Sequence, residues 1–476
     1  MLTDNLKTTP RAHQERGYEL ITTRPANLLA WEMGTGKTFA ALLGAANVGA
    51  CRTLILCPRP VLRVWQIQIQ RHFAEPPIQL IAPIRGTITD RAAETRRFFA
   101  LCGDAPAGLI CNYEAIWRGA FATLAAEVQW DLLICDEIHR IKSPGGKASR
   151  WIGKLAKRIP RRLGLTGTPM PHSPLDIYAQ FRVLAPSIFG SSFQAFKFHY
   201  ARWGGFRPPG AQHGVEVVEW INQEELQERF YRVADRVETK DVMELPDLIE
   251  DEITVQLPPK IMATYRELRD TLVAELQDEQ QRSGIITVSN ALTKVLRLQQ
   301  LTSGLAHWED IDDPTRTKLV RVHNEKADAL RELLLDLPES EPVVVFCRFR
   351  ADLDAVHEAA AACDRTSVEL SGRRHDIEGE WGETKATVAA VQIQAGAEGI
   401  SLTRACRYVF YSVHSLGNYL QARARVYRDG QTRKVFLYHL VADGTIDRAI
   451  YKAFQQRKEI IDVVMDRVNN SYEVPW

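Results

Sequence analysis

A short glycine-rich segment near the amino terminus ends in a lysine and a threonine. Gly34, Thr35 and Gly36 lead directly into Lys37 and Thr38, between an apolar strand-like run and a helix-like pattern. Such a turn lets backbone N–H groups and the start of a helix face phosphate oxygens. Lys37 is then placed to neutralise the β- and γ-phosphates of a triphosphate, and Thr38 to hold Mg²⁺. The spacing therefore predicts a site for ATP and Mg²⁺ that is formed by these five residues.

Two adjacent carboxylates end another apolar run, at residues 130–135. Asp136 is placed to order the metal ion together with Thr38, and Glu137 to polarise a water molecule. This arrangement indicates hydrolysis of ATP rather than binding alone, with Lys37, Asp136 and Glu137 as catalytic residues. His139 is either a relay from the ATP site to a second domain or a packed core histidine.

The strands that must position these residues fall into two series. Apolar runs alternate with helix-like stretches in both halves of the chain, at 27–31, 53–57, 108–112, 130–135 and 162–165, and again at 343–347, 387–393, 407–413 and 434–441. This alternation predicts an α/β fold with two tandem parallel-sheet lobes. The expected domains are residues 1–240, a nucleotide-binding lobe with a helical protrusion, 241–322, a hinge with a second protrusion, and 323–476, a C-terminal lobe.

The region between the two series has a different composition. A stretch rich in Gly, Pro and Arg at 202–214 precedes an acidic helical pattern near 222–237, and long helical patterns follow at 259–282 and 289–303. These segments are expected to be helical insertions between and on the lobes. The five cations between residues 154 and 162 are interpreted as a solvated helix face.

Composition excludes several classes of protein. The chain has 476 residues, 45% of them hydrophobic and 25% charged, as in soluble globular proteins. It contains no apolar run long enough to span a membrane, and the residues after Met1 lack a secretion signal, so a cytoplasmic location is expected. A net charge of +1 excludes a protein that coats nucleic acid by charge alone. The eight cysteines lack metal-ligand spacing and are interpreted as packing residues.

Two further motifs complete a series that begins with the glycine-rich segment. Residues 165–169 read LTGTP, and residues 421–431 read QARARVYRDGQ. The chain resembles superfamily-two ATPases of the Swi/Snf type, whose last motif has the form QAxxRxxRxGQ, in a compact form like those of bacteriophages. The resemblance implies two RecA-like lobes, with Gln14 reading the adenine edge and Arg425 and Arg428 acting as catalytic arginine fingers. Guanidinium groups suit the charge that develops on a γ-phosphate when the lobes close.

The same resemblance implies contacts with nucleic acid, with double-stranded DNA as the expected partner, through phosphates rather than bases. The candidate contacts are Thr168, Ser401 and Thr403. Three arginines at strand ends fit either phosphate contact or a solvated surface equally well: Arg59, Arg348 and Arg350. The leading hypothesis is a monomeric motor that moves along duplex DNA, with protein partners left unidentified. A strand-separating DNA or RNA helicase and a nucleotide-switched DNA-binding module with little turnover are the alternatives.

Overall fold

A computed structural model describes residues 5–205, 216–281, 288–309, 317–373, 381, 386–394, 402–428 and 430–465. The chain divides into two compact units. The first unit comprises Met1–Arg202, Glu219–Glu244 and Glu459–Trp476, and the second comprises Trp203–Val218 and Leu245–Lys458. The division into three domains at residues 240 and 322 stays a prediction.

Seventeen strands lie in the described part of the chain: β1 Ala26–Trp31, β2 Arg52–Cys57, β3 Gln79–Ile81, β4 Ala107–Asn112, β5 Leu132–Asp136, β6 Arg161–Leu165, β7 Ala201–Gly204, β8 Glu216–Trp220, β9 Ala234–Val237, β10 Leu248–Val255, β11 Leu305–Glu309, β12 Thr317–Arg321, β13 Val343–Cys347, β14 Ser367–Leu370, β15 Val388–Gln392, β16 Arg407–Phe410 and β17 Val435–Ala442. A seven-stranded sheet has the order β3-β4-β2-β5-β6-β1-β9, and a six-stranded sheet has the order β10-β17-β16-β13-β15-β14. Every strand pair in these two sheets is parallel. The predicted α/β class with two parallel-sheet lobes is therefore confirmed.

Seventeen helices are described with them: α1 Ala12–Thr23, α2 Lys37–Asn47, α3 Leu62–His72, α4 Ile88–Cys102, α5 Gly119–Glu127, α6 Lys147–Ala156, α7 Ile177–Leu184, α8 Pro186–Phe189, α9 Phe193–Tyr200, α10 Gln223–Tyr231, α11 Thr239–Val242, α12 Pro259–Gln281, α13 Val288–Thr302, α14 Glu325–Asp336, α15 Arg350–Ala361, α16 Leu416–Val426 and α17 Ile446–Met465. None of the helices in these ranges is both long enough and apolar enough to cross a membrane.

The first sheet is covered on both faces, as parallel sheets usually are. Because side chains alternate along a strand, Leu28 and Ala30 of β1 join one core with α4 to α7. Leu29 and Trp31 join the other core with α1, α2 and α3. The carboxyl ends of β1, β5 and β6 meet at one edge of this sheet, which brings the segments after residues 31, 136 and 165 together.

Three local predictions need correction. The acidic helix ends at Tyr231, because residues 234–237 form β9, which pairs with β1 and places Ala234 and Val237 in the core. Two of the cations assigned to a helix face, at positions 161 and 162, instead begin β6. The strand expected at 407–413 ends at Phe410, and Ser412 there accepts a hydrogen bond from the Arg348 backbone at 2.8 Å through its hydroxyl.

A buried ion pair joins elements of the second unit. The ammonium of Lys326, on α14, lies 2.7 Å from the Asp447 carboxylate of α17 and donates to the Tyr411 carbonyl at 3.0 Å. The Lys326 side chain is only 2% exposed, so removal of either partner would leave an uncompensated buried charge. This pair fixes α14 and α17 beside the end of β16.

Candidate nucleotide-binding and hydrolysis site

Two glycines shape the loop between β1 and α2. Gly34 and Gly36 both have left-handed backbone conformations, with φ of 85° and 82°. A Cβ atom at Gly36 would lie 2.1 Å from Nε2 of Gln14, so a side chain there would meet both backbone strain and a steric overlap. The loop then enters α2 at Lys37, which directs the first amides of that helix toward the loop.

The Lys37 ammonium lies within this loop. Its Nζ donates to the carbonyls of Trp31 at 2.8 Å and Glu32 at 3.0 Å. Burial lowers the pKa of Lys37, while the carboxylates of Glu137 and Asp136 act in the opposite direction. The structure thus brings the predicted lysine into the electrostatic field of both predicted carboxylates.

The other loop residues have distinct positions. Thr35 is buried, and its hydroxyl donates to the Glu32 carbonyl at 2.7 Å, so its side chain stabilises the turn. Thr38 is half-buried in the first turn of α2, directly after Lys37. A hydroxyl oxygen suits the oxygen preference of Mg²⁺. The Thr38 hydroxyl is therefore the kind of ligand that the predicted Mg²⁺ ion prefers.

Helix α1 is fastened to the outside of the loop. The Gln14 side chain accepts from the Arg11 N–H at 2.9 Å and donates to the Thr35 carbonyl at 3.1 Å. The same carbonyl accepts from His13 Nε2 at 2.7 Å. Gln14 thus lies against the loop, and its contact with adenine stays a prediction.

Trp31 stands where generic phosphate-binding loops carry glycine. Its indole N–H donates to the Asp235 carboxylate at 2.7 Å, and the same oxygen of Asp235 lies 3.0 Å from Arg16. A Cβ atom on Gly17 would lie 2.4 Å from the indole, so α1 packs tightly on this ring. Trp31 therefore ties β1 to both α1 and β9. Sequence reasoning missed Asp235, because it lies 204 positions from its partner and belongs to no local motif.

A second contact from the same region fastens the loop entrance. The Glu32 carboxylate accepts from the Thr239 N–H at 2.8 Å, at the start of α11. Glu32 gave no signal in the sequence beyond its position beside the glycines. Together with the Asp235 contact, this contact makes β9 and the chain directly after it part of the support of the loop.

The two carboxylates lie at the end of β5 in different environments. Burial and the neighbouring charge of Glu137 raise the pKa of Asp136, whose Oδ2 accepts from the Trp65 indole at 3.1 Å. Burial acts to raise the pKa of Glu137 as well, but His139 and Lys37 hold it below its usual value. One oxygen of Glu137 is buried, has no hydrogen bond of good geometry and lies 3.3 Å from His139 Nδ1. Glu137 is thus an ionised acceptor with capacity for a water molecule.

His139 connects Glu137 to the LTGTP segment. The same Nδ1 is 2.9 Å from the hydroxyl of Thr166, which also accepts from the Thr168 N–H at 3.1 Å. His139 is therefore a buried, hydrogen-bonded residue of the first unit. The Thr168 hydroxyl oxygen is buried and has no hydrogen-bond partner in the described part of the chain. The contact of Thr168 with nucleic acid stays a prediction.

The arginine motif belongs to the second unit. Arg425 lies in the last turn of α16, and Arg428 follows the helix; both are half-buried. Arg423 of the same helix lies 3.0 Å from Glu250 of β10, which also accepts from the Tyr419 hydroxyl at 3.2 Å. His439 and Arg423, working against burial, hold the pKa of Glu250 at about 2. Helix α16 is therefore anchored by a charged side chain of the edge strand.

The other residues predicted to contact nucleic acid differ in how far they are exposed. Thr403 is half-buried near Gly430, and Ser401 lies outside the described residues. Arg59 and Arg350 are exposed, and Arg348 is half-buried. The completion of the nucleotide site by Arg425 and Arg428 stays a prediction.

Comparison with known proteins identifies the family. The model of the SNF2-related domain matches residues 13–304, which is more than half of the chain and includes every site residue of the first unit. The chain belongs to the SNF2-related family. As a member with the glycine-rich loop and the carboxylate pair, it is a helicase-like ATP hydrolase.

Relatives of this SNF2-related chain differ greatly in length. It is 24% identical to the chicken DNA repair and recombination protein RAD54B, over 98% of this chain and 55% of the relative. It is also 24% identical to the putative protein p41 of Acyrthosiphon pisum secondary endosymbiont phage 1, over 96% of this chain and 98% of that protein. The chain thus spans about half of RAD54B and nearly all of the phage protein. The Hef helicase domain of Pyrococcus furiosus, a solved structure, matches 94% of this chain and 98% of its own with a TM-score of 0.55 and 16% identity, which shows the shared fold.

Proposed function

We propose that this SNF2-related ATPase is stimulated by nucleic acid and moves along double-stranded DNA, where it displaces bound proteins or strands. The observation that carries the proposal is the cluster of Lys37, Asp136 and Glu137 at one edge of a parallel sheet. The second parallel-sheet unit of the same chain bears Arg425 and Arg428. Such a division of residues couples hydrolysis to domain closure. A monomer has both sets of residues.

The residues of the first unit have separate tasks in hydrolysis. The loop amides and Lys37 bind the phosphates, and Thr38 and Asp136 would hold Mg²⁺, which neutralises charge on the phosphate oxygens when bound. Glu137, kept ionised beside His139, accepts a hydrogen bond from the attacking water and orients it toward the γ-phosphate. Arg425 and Arg428 stabilise the charge on that phosphate when the units close.

DNA is proposed as the polymer because several relatives are named for work on DNA. RAD54B is named a DNA repair and recombination protein, and mouse ZRANB3, 22% identical over 96% of this chain, is named a DNA annealing helicase and endonuclease. Thr168, Ser401 and Thr403 are the proposed phosphate contacts. Contacts with phosphates do not depend on the base sequence, which suits a motor that moves along DNA.

The proposal is tested by the steady-state ATPase rate with duplex DNA, single-stranded DNA and RNA side by side. We expect the largest stimulation with duplex DNA, together with displacement of the third strand from a triplex and no unwinding of a forked duplex. Efficient fork unwinding would favour a strand-separating helicase. Negligible turnover with all three polymers would favour a nucleotide-switched binding module.

A further inference from the structure

The segment that follows the carboxylate pair is unusually basic. Residues 138–175 contain nine lysines and arginines and no aspartate or glutamate, in a chain whose net charge is only +1. Helix α6 lies in the middle of this segment. Such an excess of positive charge in one short segment of a nearly neutral chain indicates a local positive electrostatic potential.

The structure concentrates this charge on one surface. Helix α6 buries Ile152, Leu155 and Ala156 in the core. Every exposed residue between positions 147 and 158 is cationic, and these five side chains, the α6 basic stripe, are Lys147, Arg150, Lys154, Lys157 and Arg158. The interpretation of this region as a merely solvated helix face does not explain such a uniform surface.

The stripe has no acidic partners in the described part of the chain. On α10, by contrast, Arg229 and Arg232 each pair with a glutamate four positions earlier, at 2.6 Å. Within the stripe, Arg150 and Lys154 are four positions apart, a spacing at which like charges destabilise a helix. Arg182 of α7 adds another cation, because its guanidinium donates to the Ser149 hydroxyl at 2.7 Å and is close enough for the charge of Arg150 to act on it. A polyanion would remove this repulsion.

The position of the stripe separates it from the nucleotide loop. Residues of α6 belong to the core on one face of the first sheet, whereas α1, α2 and α3 pack on the other face. From Lys147 to Arg158 the stripe extends roughly 16 Å at the rise of a helix. Duplex DNA presents about nine phosphate charges over that length, at roughly one charge per 1.7 Å. Since α6 exposes no apolar side chain, insertion into a lipid surface is disfavoured.

We propose that the α6 basic stripe binds the phosphate backbone of a second duplex DNA segment, in addition to the segment on which the motor moves. The choice of DNA as the polymer and the presence of a first duplex rest on the proposed function. The stripe would hold one duplex while the ATPase acts on another, which suits a protein that acts where two duplexes meet.

The test counts duplexes per protein chain by native mass spectrometry with a 12-bp duplex. The wild-type chain is expected to bind two duplexes, and the variant K147Q/R150Q/K154Q only one. The control R96Q/R229Q/R232Q removes three arginines that already pair with glutamates and is expected to keep both. Second-duplex binding by the wild-type chain should weaken steeply as the salt concentration rises, because each phosphate contact releases a counterion.

The outcomes separate this proposal from the proposed function. A wild-type chain that never binds a second duplex, or a stripe variant that still binds two, would overturn the proposal. Equal loss of first-duplex binding and of DNA-stimulated ATPase would place the stripe in the main DNA path and also overturn it. Competition by polyglutamate as strong as that by duplex DNA would identify an acidic protein as the partner instead. If the wild type binds two duplexes but no DNA stimulates its ATPase, the stripe proposal stands and the motor proposal fails.

Discussion

Replacement of Glu250 by glutamine tests how α16 is held. The variant keeps an acceptor for Tyr419 but loses the charge that faces Arg423 and His439. A pKa lowered from 4.5 to about 2 corresponds to at most about 3.4 kcal/mol. Because 39% of the Glu250 side chain is exposed, solvent screening reduces the expected loss in free energy of unfolding to about 1–2 kcal/mol at pH 7.

The pH dependence gives the sharper part of this prediction. A carboxylate whose pKa is lower in the folded than in the unfolded state contributes stability that is present above pH 4.5 and is lost as the pH falls toward about 2. Wild type and E250Q should therefore converge in stability between these pH values. Urea denaturation of both, at pH 7 and pH 3, measures the difference.

The matched control is Glu252→Gln on the same strand, which removes an exposed ion pair with Arg448. We expect it to change stability by less than about 1 kcal/mol. If E250Q is equally destabilised at both pH values, the ionised state of Glu250 is not what anchors α16. If anchoring of α16 also positions Arg425, E250Q should lower kcat more than it changes the KM for ATP.

Three further predictions concern the nucleotide loop and the carboxylates. Lys37→Ala should abolish ATP hydrolysis, because the phosphates lose their cation; near-normal turnover would contradict its role. Glu137→Gln should retain binding of a fluorescent ATP analogue while turnover is lost, and equal loss of both would indicate a structural role instead. Gly36→Ala should weaken ATP binding and cost about 1–2 kcal/mol of stability from its left-handed backbone alone, whereas Gly145→Ala, in open space, should be neutral in calorimetry and ATP titration.

The sequence predicts what is local in this fold. Continuous apolar runs mark buried parallel strands, so β1 and β13 were predicted to within one residue of their ends. The glycines and Lys37 obey fixed spacing, because one turn of backbone must surround the phosphates. The loop therefore appears in the structure where the sequence placed it.

Contacts between distant segments could not be predicted in this way. The sequence pattern near 222–237 predicts helix where β9 lies, because the pairing of β9 with β1 depends on residues far along the chain. The bonds of Asp235 to Trp31 and of Trp65 to Asp136 join positions 204 and 71 apart. No periodicity or motif encodes such pairs, since each residue alone is compatible with many environments. The support of the site thus becomes visible only in three dimensions.

The most direct test of a nucleotide site completed by the second unit is the single-turnover rate of ATP hydrolysis by Arg428→Ala with saturating duplex DNA. The account predicts a fall of about 10³-fold or more, as for other arginine fingers, with ATP affinity changed only a few-fold. Arg433→Ala, whose side chain pairs with Glu341 at 3.0 Å, serves as the control and should hydrolyse ATP normally. Hydrolysis by Arg428→Ala at the wild-type rate would contradict the central claim.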